Sequence, residues 1–271
     1  MKNELGIFAK TFSGDLGEVF QKAVNHELFH FQFNMSVAGL GELPQEIPAR
    51  ILDDIMAFKK ITGVELSAMS ATYNMIDPDR EKKNHGFNAF IEISKACRKL
   101  DIDLITVCTG SKNPVDKWKW HPDNDSKQAW KELLVSMEEA IVVAETSDIY
   151  LGVEPELGNV VSSPEKAIQL IKELDSDRVQ IVFDPANLFD KADRQSIRDI
   201  MRRSWDQLAE YVGLVHAKDR TEDGHYVAVG KGAVDFGELL GLVGQSDYRG
   251  PIIMHGLSEV EVDGCLAVLK R

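Results

Sequence analysis

A single parallel α/β barrel, the (β/α)8 TIM barrel, is the fold class that the sequence predicts, and three observations predict it. Strand-like and helix-like segments alternate about eight times with few breaks. The strand-like runs are apolar almost throughout, as strands covered on both faces must be. The chain has 271 residues, 44% of them hydrophobic, and lengths near ~250 residues are usual for one such barrel. Residues 1–271 therefore read as one domain, with no linker, repeat or low-complexity stretch dividing them.

The elements follow in order. A strand is expected at Leu5–Ala9, and after Asp15 the residues Leu16, Val19, Phe20, Ala23 and Val24 share one helical face. Strands at Leu28–Asn34, Val64–Ser70 and Leu104–Thr109 come next. The longest irregular stretch, Gly110 to Ser126, holds Asn113-Pro114, Lys117, Trp118, Trp120 and His121-Pro122; a βα loop of that length is unusual and often serves as a lid or binding loop. Trp130, Leu133, Leu134, Met137, Ile141 and Ala144 mark a long helix before the strand Ile149–Glu154. Pro164 behind Ser163 starts another helix, and strands at Val179–Asp184, Gly213–Ala217 and Pro251–His255 complete the set. Near the end, Ser258-Glu259-Val260-Glu261 matches a capping box, which gives both acids a structural role.

Composition narrows the function classes. Thirty-one basic against 44 acidic side chains leave a formal net charge of −13, a sign that opposes non-specific contact with nucleic acid or anionic lipid. Cys97, Cys108 and Cys265 are widely separated and form no Cys-x-x-Cys pair, so small buried hydrophobes are expected rather than a disulfide framework or a zinc knuckle. Met-Lys-Asn-Glu-Leu-Gly opens no signal-peptide core, and no apolar run reaches membrane length. A cytoplasmic protein acting on a small molecule, without nucleic-acid or membrane partners, is the expectation.

Four polar residues end strand-like runs: Glu154, Asp184, His216 and His255, about 30 to 39 residues apart. Right-handed crossovers put every strand's carboxyl end on one rim, so the four converge. A carboxylate at such a place can instead be a helix N-cap, but His caps poorly, and Glu154 and Asp184 are each followed by Pro. A mixed carboxylate and imidazole set suits a transition-type divalent ion; Mn2+ and Zn2+ both fit. Glu156 shares a face with Glu154 on an extended segment and is expected to bind substrate or orient the loop. Asn187, three residues past Asp184, reads as a substrate contact or as a turn or cap residue. Lys218 alternates with His216 and is placed to hold an oxyanion, a phosphate or a neighbouring carboxylate such as Asp219. Trp118, Trp120 and His121 either close over a bound small molecule, shielding it from water, or pack the loop or an oligomer contact. Gly230-Lys231-Gly232 resembles a phosphate cradle only superficially, since it neither follows a strand end nor clearly opens a helix.

The runs Gly-Val-Glu-Pro-Glu, Phe-Asp-Pro-Ala-Asn, Val-His-Ala-Lys-Asp and Gly-Pro-Ile-Ile-Met-His together resemble the xylose isomerase-like barrel superfamily, which holds sugar phosphate isomerases and epimerases and the family-2 abasic-site endonucleases. The resemblance spans essentially the whole chain. It implies a metal held by Glu154, Asp184 and His216, with His255 standing where the epimerases carry a fourth ligand, a second glutamate. Asn187 stands where many relatives have a substrate-contacting His. The implied activity is metal-dependent isomerisation or epimerisation through an enediolate, with Glu154 as ligand and base and His255 as fourth ligand or opposing acid/base. Glu156, Asn187, Lys218, His121 and Trp120 are the expected substrate contacts. The change at His255 keeps a lyase or dehydratase acting on an oxidised sugar as the alternative. A repair endonuclease on this barrel needs a richer ligand set and a basic groove, against 7 His and an acidic balance here.

Overall fold

Eight short apolar runs form the staves of a closed parallel barrel in the computed structural model, which describes residues 3–270. They are β1 (Leu5–Phe8), β2 (His30–Phe33), β3 (Glu65–Asn74), β4 (Leu104–Cys108), β5 (Tyr150–Val153), β6 (Val179–Phe183), β7 (Val212–Ala217) and β10 (Ile252–Met254). Around the barrel the order is β1-β10-β7-β6-β5-β4-β3-β2, closed by the parallel pairing of β1 with both β10 and β2. Each observed strand overlaps an expected one. The largest difference is β3, which runs four residues beyond Ser70 to Asn74 through a register shift against β4.

Helices α1 (Leu16–Asn25), α2 (Ala49–Thr62), α3 (Arg80–Leu100), α4 (Lys127–Ser147), α5 (Pro164–Leu174), α6 (Arg194–Leu208), α7 (Phe236–Gln245) and α8 (Val262–Leu269) surround the barrel. Their starts follow local chemistry. Asp15 accepts the Glu18 amide at 2.9 Å, and Glu18 returns the bond to the Asp15 amide; Ser163 caps α5 ahead of Pro164. The Ser258 box also forms, through Glu261. Glu259 is used differently from the expectation: it accepts from the Ser13 amide and hydroxyl and from Lys22, tying the last loop to the first across the closing seam.

The barrel interior is filled rather than hollow. Ala68, Leu104, Val182, Leu214 and Ile253 form a small buried cluster inside the ring, distinct from the larger core between strands and helices. Gly6 is required at this point, since a Cβ there would lie 2.5 Å from Ile253 Cδ1 and 2.6 Å from the His30 carbonyl. Cys97, Cys108 and Cys265 are all buried free thiols. Among the described residues no helix is long and apolar enough to cross a membrane.

After β7 the chain makes a two-stranded antiparallel ribbon, β8 (Asp219–Arg220) with β9 (Tyr226–Val227). Asp219 is fully buried and anchors the segment after the ribbon: its carboxylate accepts backbone amides from Arg220, Gly230, Gly232 and Val234 at 2.8 to 3.1 Å. The Gly230-Lys231-Gly232 cradle is thus filled by a side chain of this same chain. Burial still holds the Asp219 pKa above its ordinary value, against the pull of these amides. Asp219→Ala leaves four amides without an acceptor and is expected to lower the unfolding free energy by about 2–4 kcal/mol. Asp219→Asn is expected to rescue little, because one NH2 must then face amide donors. Denaturant unfolding of the three proteins measures this, and an unchanged midpoint for Asp219→Ala would show that the cradle carries no stability.

Candidate functional site

The carboxyl ends of β5, β6, β7 and β10 position the four residues singled out in the sequence. Glu154, Asp184 and His255 each follow directly on a strand, and His216 is the penultimate residue of β7. The structure brings three of them together: one donor atom each from Glu154, Asp184 and His216 lie within 4.8 Å of one another. His216 Nδ1 is 3.4 Å from Glu154 Oε1 and 3.8 Å from Asp184 Oδ2. His255 stands outside that set, its ring stacked on His216 at 5.1 Å and on Phe8 at 4.8 Å between centroids.

The donor atoms could hold a cation. Asp184 Oδ1 accepts the Ala186 amide at 2.9 Å, so the N-cap role is real, but it uses only one oxygen. Asp184 Oδ2 and His216 Nδ1 are buried with no hydrogen-bond partner among the described residues, and such groups are costly unless something pairs with them. His216 Nε2 lies 2.7 Å from Gln32 Oε1. An amide oxygen only accepts, so Nε2 carries a hydrogen, and Nδ1 is the nitrogen that faces the carboxylates; once its proton is lost, its lone pair is the one a metal-ligating imidazole needs. Gln32 is held in turn by Thr106. It was not anticipated from the sequence, although a lone amide in His-Phe-Gln-Phe is the kind of signal that marks it.

Asn187, in a single turn after β6, is the hub of the surrounding polar network. Its Nδ2 donates to Glu154 Oε1 at 2.6 Å and to Glu156 Oε1 at 2.8 Å, and its Oδ1 accepts from Lys218 Nζ at 3.0 Å and Tyr226 OH at 2.9 Å. Lys218 Nζ also sits 4.0 Å from Asp184 Oδ2 and 4.0 Å from the Tyr226 ring centroid. Tyr226 is carried in by the β8–β9 ribbon, and no local sequence pattern announces it. Asn187, Glu156 and Lys218 therefore lie together beside the three donors, as expected. The loop residues divide. Trp118 and Lys117 line the cavity, whereas Trp120 and His121 are not among its lining residues, and the His121 ring accepts the Asp123 amide at the start of a short turn.

That cavity, about 460 Å3, opens at the barrel mouth and is lined by Glu154, Glu156, His216, Lys218, Tyr226 and His255 on one side, with Gln32, Ser70, Thr72 and Thr106 on the other. The volume fits a small molecule. The long loop over it is pinned at its base. Asn74 holds both the amide and the carbonyl of Ser111, Asn124 bonds the Lys112 amide and the Gly158 carbonyl, and Asn159 bonds the Lys117 carbonyl at 2.8 Å. Gly110, at φ +83°, turns the chain where a Cβ would strike Asn74.

Electrostatics follow from burial and crowding. Burial opposes charge on His216, but Glu154 and Asp184 outweigh it and raise its pKa to about 9. Burial, then the Glu154 charge, pushes Glu156 up to about 8. His255 goes the other way: burial and the nearby charges of His216 and Lys218 hold it well below the ordinary imidazole value. In the metal-free protein His216 is therefore protonated at neutral pH, and a cation has to displace that proton. Divalent-ion affinity is expected to rise with pH up to about 9 and to release about one proton per ion near pH 7.5. Calorimetry in buffers of different ionisation enthalpy reads this directly; binding with no proton release would exclude His216 as a ligand.

Comparison with known proteins agrees with this architecture. A family model described as "Xylose isomerase-like TIM barrel" matches residues 20–260. A D-psicose 3-epimerase from Ruminiclostridium cellulolyticum is 23% identical over 188 residues, 68% of this chain and 60% of the relative, so the match spans less than two thirds of that protein. The crystal structure of a 3-keto-D-glucoside 4-epimerase from E. coli superposes with a TM-score of 0.76 at 17% identity, covering 100% of this chain and 99% of that one. The IOLI protein, solved with a zinc atom, gives 0.71 at 13% identity over 98% and 95%. At such identities the structural likeness establishes the fold alone. The family match covers most of the sequence, and the chain belongs to the xylose isomerase-like TIM barrel family.

Proposed function

We propose that this protein is a divalent-metal-dependent isomerase or epimerase of a small sugar. The observation that carries the reading is the meeting of three donors, two with buried atoms that have no partner among the described residues, beside a small-molecule cavity that Glu154 and His216 line. Glu154, Asp184 and His216 are the residues that would hold the ion, and their mixed donor set fits Mn2+ or Zn2+. When bound, such an ion supplies a Lewis acid that polarises a carbonyl oxygen and acidifies the adjacent C–H.

The chain's own groups do the rest. Glu154 takes the proton from the sugar carbon next to the carbonyl. Lys218 offers an ammonium, buried yet kept charged by Asp184, Glu154 and Glu156, to oxygen as it gains negative charge. His255, held neutral, takes the proton of the neighbouring hydroxyl and returns it to the former carbonyl oxygen, while Glu154 delivers its proton to the adjacent carbon, so that the substrate leaves with as many protons as it brought. Asn187 keeps Glu154 and Glu156 apart and oriented. Glu156 and Tyr226 then meet sugar hydroxyls, and Trp118 covers a C–H face.

Incubating a panel of ketoses in D2O with the Mn2+- or Zn2+-loaded protein is expected to exchange a carbon-bound proton with solvent and to yield a rearranged sugar. Glu154→Gln is expected to slow exchange by roughly 10^2–10^4-fold. No exchange across a broad panel would overturn the reading, and an unsaturated product would reassign the same site to elimination. Asp184→Asn is expected to strip the ion, read by metal analysis after dialysis; full metal content and activity would show that the ion lies elsewhere.

A further inference from the structure

The cavity is polarised around the barrel. The metal donors come from β5, β6 and β7, whereas the opposite wall is built after β1 to β4 and carries a different charge set. There Lys10 and Lys117 face a single carboxylate, Glu42. Lys10 is already paired with Glu42. Lys117 has no carboxylate within ion-pair distance among the described residues; its Nζ bonds the Thr72 carbonyl and lies 5.1 Å from the Trp118 ring centroid. The loop that carries it is pinned through Asn159 to the Lys117 carbonyl itself. A protein with 44 acidic side chains has thus kept an ammonium facing its cavity without giving it an acid.

From this geometry we infer that the β1–β4 wall is a subsite for an anionic substituent, a carboxylate or phosphate, at the end of the sugar remote from the metal donors, with Lys117 as its principal contact and Lys10 beside it. The inference rests on reading the cavity as a sugar site. Chemistry favours it: a partly exposed ammonium facing a cavity strengthens binding of an opposite charge several-fold and is weakened by salt. A neutral sugar gains less from such a group than an anion does. Glu42 does not cancel the effect: its bond to Lys10 and then the charges of Lys10 and Lys117 hold its pKa down, so one carboxylate faces two ammoniums and one positive charge is left over.

Three probes sharing one ketose skeleton test it: D-fructose, D-fructuronate and D-fructose 6-phosphate, each titrated into the Mn2+-loaded protein by calorimetry at low and at high salt. At low salt at least one anionic probe is expected to bind about tenfold more tightly than fructose, with the gap closing at high salt. Whichever anion shows the larger gap names the substituent. Lys117→Gln is expected to shrink the ratio to within about twofold, and Lys117→Arg to restore it. Lys119→Gln, on the same loop but beside Asp116, is expected to keep it. If Lys117→Gln fails to fold, the ratio is read on Lys10→Gln, where an unpaired Glu42 is expected to abolish the gap. No preference for either anion, or a preference that survives Lys117→Gln, overturns the inference. The readout is binding, so a charge-dependent gap without proton exchange would fail the proposed reaction alone, and exchange on fructose without a gap would fail the subsite alone.

Discussion

One buried and one half-buried carboxylate and an imidazole nitrogen facing one another form the constraint on which the rest of this structure depends. Glu154, Asp184 and His216 would repel or remain unsatisfied if left as electron-rich groups in a low-dielectric pocket. The metal-free protein meets the problem with protons, putting one on His216 and one on Glu156. A divalent ion solves it better, because one charge answers three donors at once. The barrel supplies what the crowding requires. Each donor sits at the end of a strand locked by parallel neighbours, so repulsion cannot be relieved by a side chain swinging into water.

The layer behind the donors shows how that strain is directed. Gln32 decides which nitrogen of His216 faces inward. Asn187 gives its two amide hydrogens to Glu154 and Glu156 and its oxygen to Lys218 and Tyr226, so a neutral side chain separates two acids while keeping both aimed at the cavity. A histidine there could not serve four partners in this way, which is a physical reason for Asn at a position where the resembled family often has His. Tyr226 reaches the network only because the β8–β9 ribbon is held in place by the amide cradle around Asp219. Stability at one loop therefore sets the electrostatics of the site.

Much of this was legible in the sequence, and the limits have physical causes. Strand positions follow from apolar runs covered on both faces, and spacing alone groups Glu154, Asp184, His216 and His255 at one rim, of which the structure brings the first three together. The same periodicity says nothing about how a loop returns. Tyr226 lies 42 residues from Asp184 in the chain, on a ribbon whose place depends on a buried Asp219 that resembles any other Asp beside a Lys. From the sequence the aromatic loop reads equally as a lid or as packing, and the choice of Trp118 rather than Trp120 or His121 as a cavity-lining ring goes with a loop pinned by Asn74, Asn124 and Asn159, residues far apart in the chain. The Gly-Lys-Gly segment shows the converse: it is a true amide cradle, and only the tertiary structure reveals that its anion is internal.

His255 is where these strands of reasoning meet. Its place at a strand end suggests a ligand, yet the structure stacks it between Phe8 and His216, and its buried Nδ1 has no hydrogen-bond partner among the described residues. A ring clamped between two others cannot rotate freely to follow an ion, but it can keep one nitrogen at a fixed point on the cavity wall. Burial and the cationic neighbours keep that nitrogen unprotonated, which suits a group that must receive a proton and poorly suits one that must already carry it. An imidazole at this rim position, where the resembled epimerases carry a glutamate, therefore differs from it in both charge and resting protonation, in a pocket that already crowds three carboxylates around His216 and Lys218. The opposite wall, with its surplus ammonium, shifts the balance in the same direction, which is the charge distribution on which the proposed anion subsite rests.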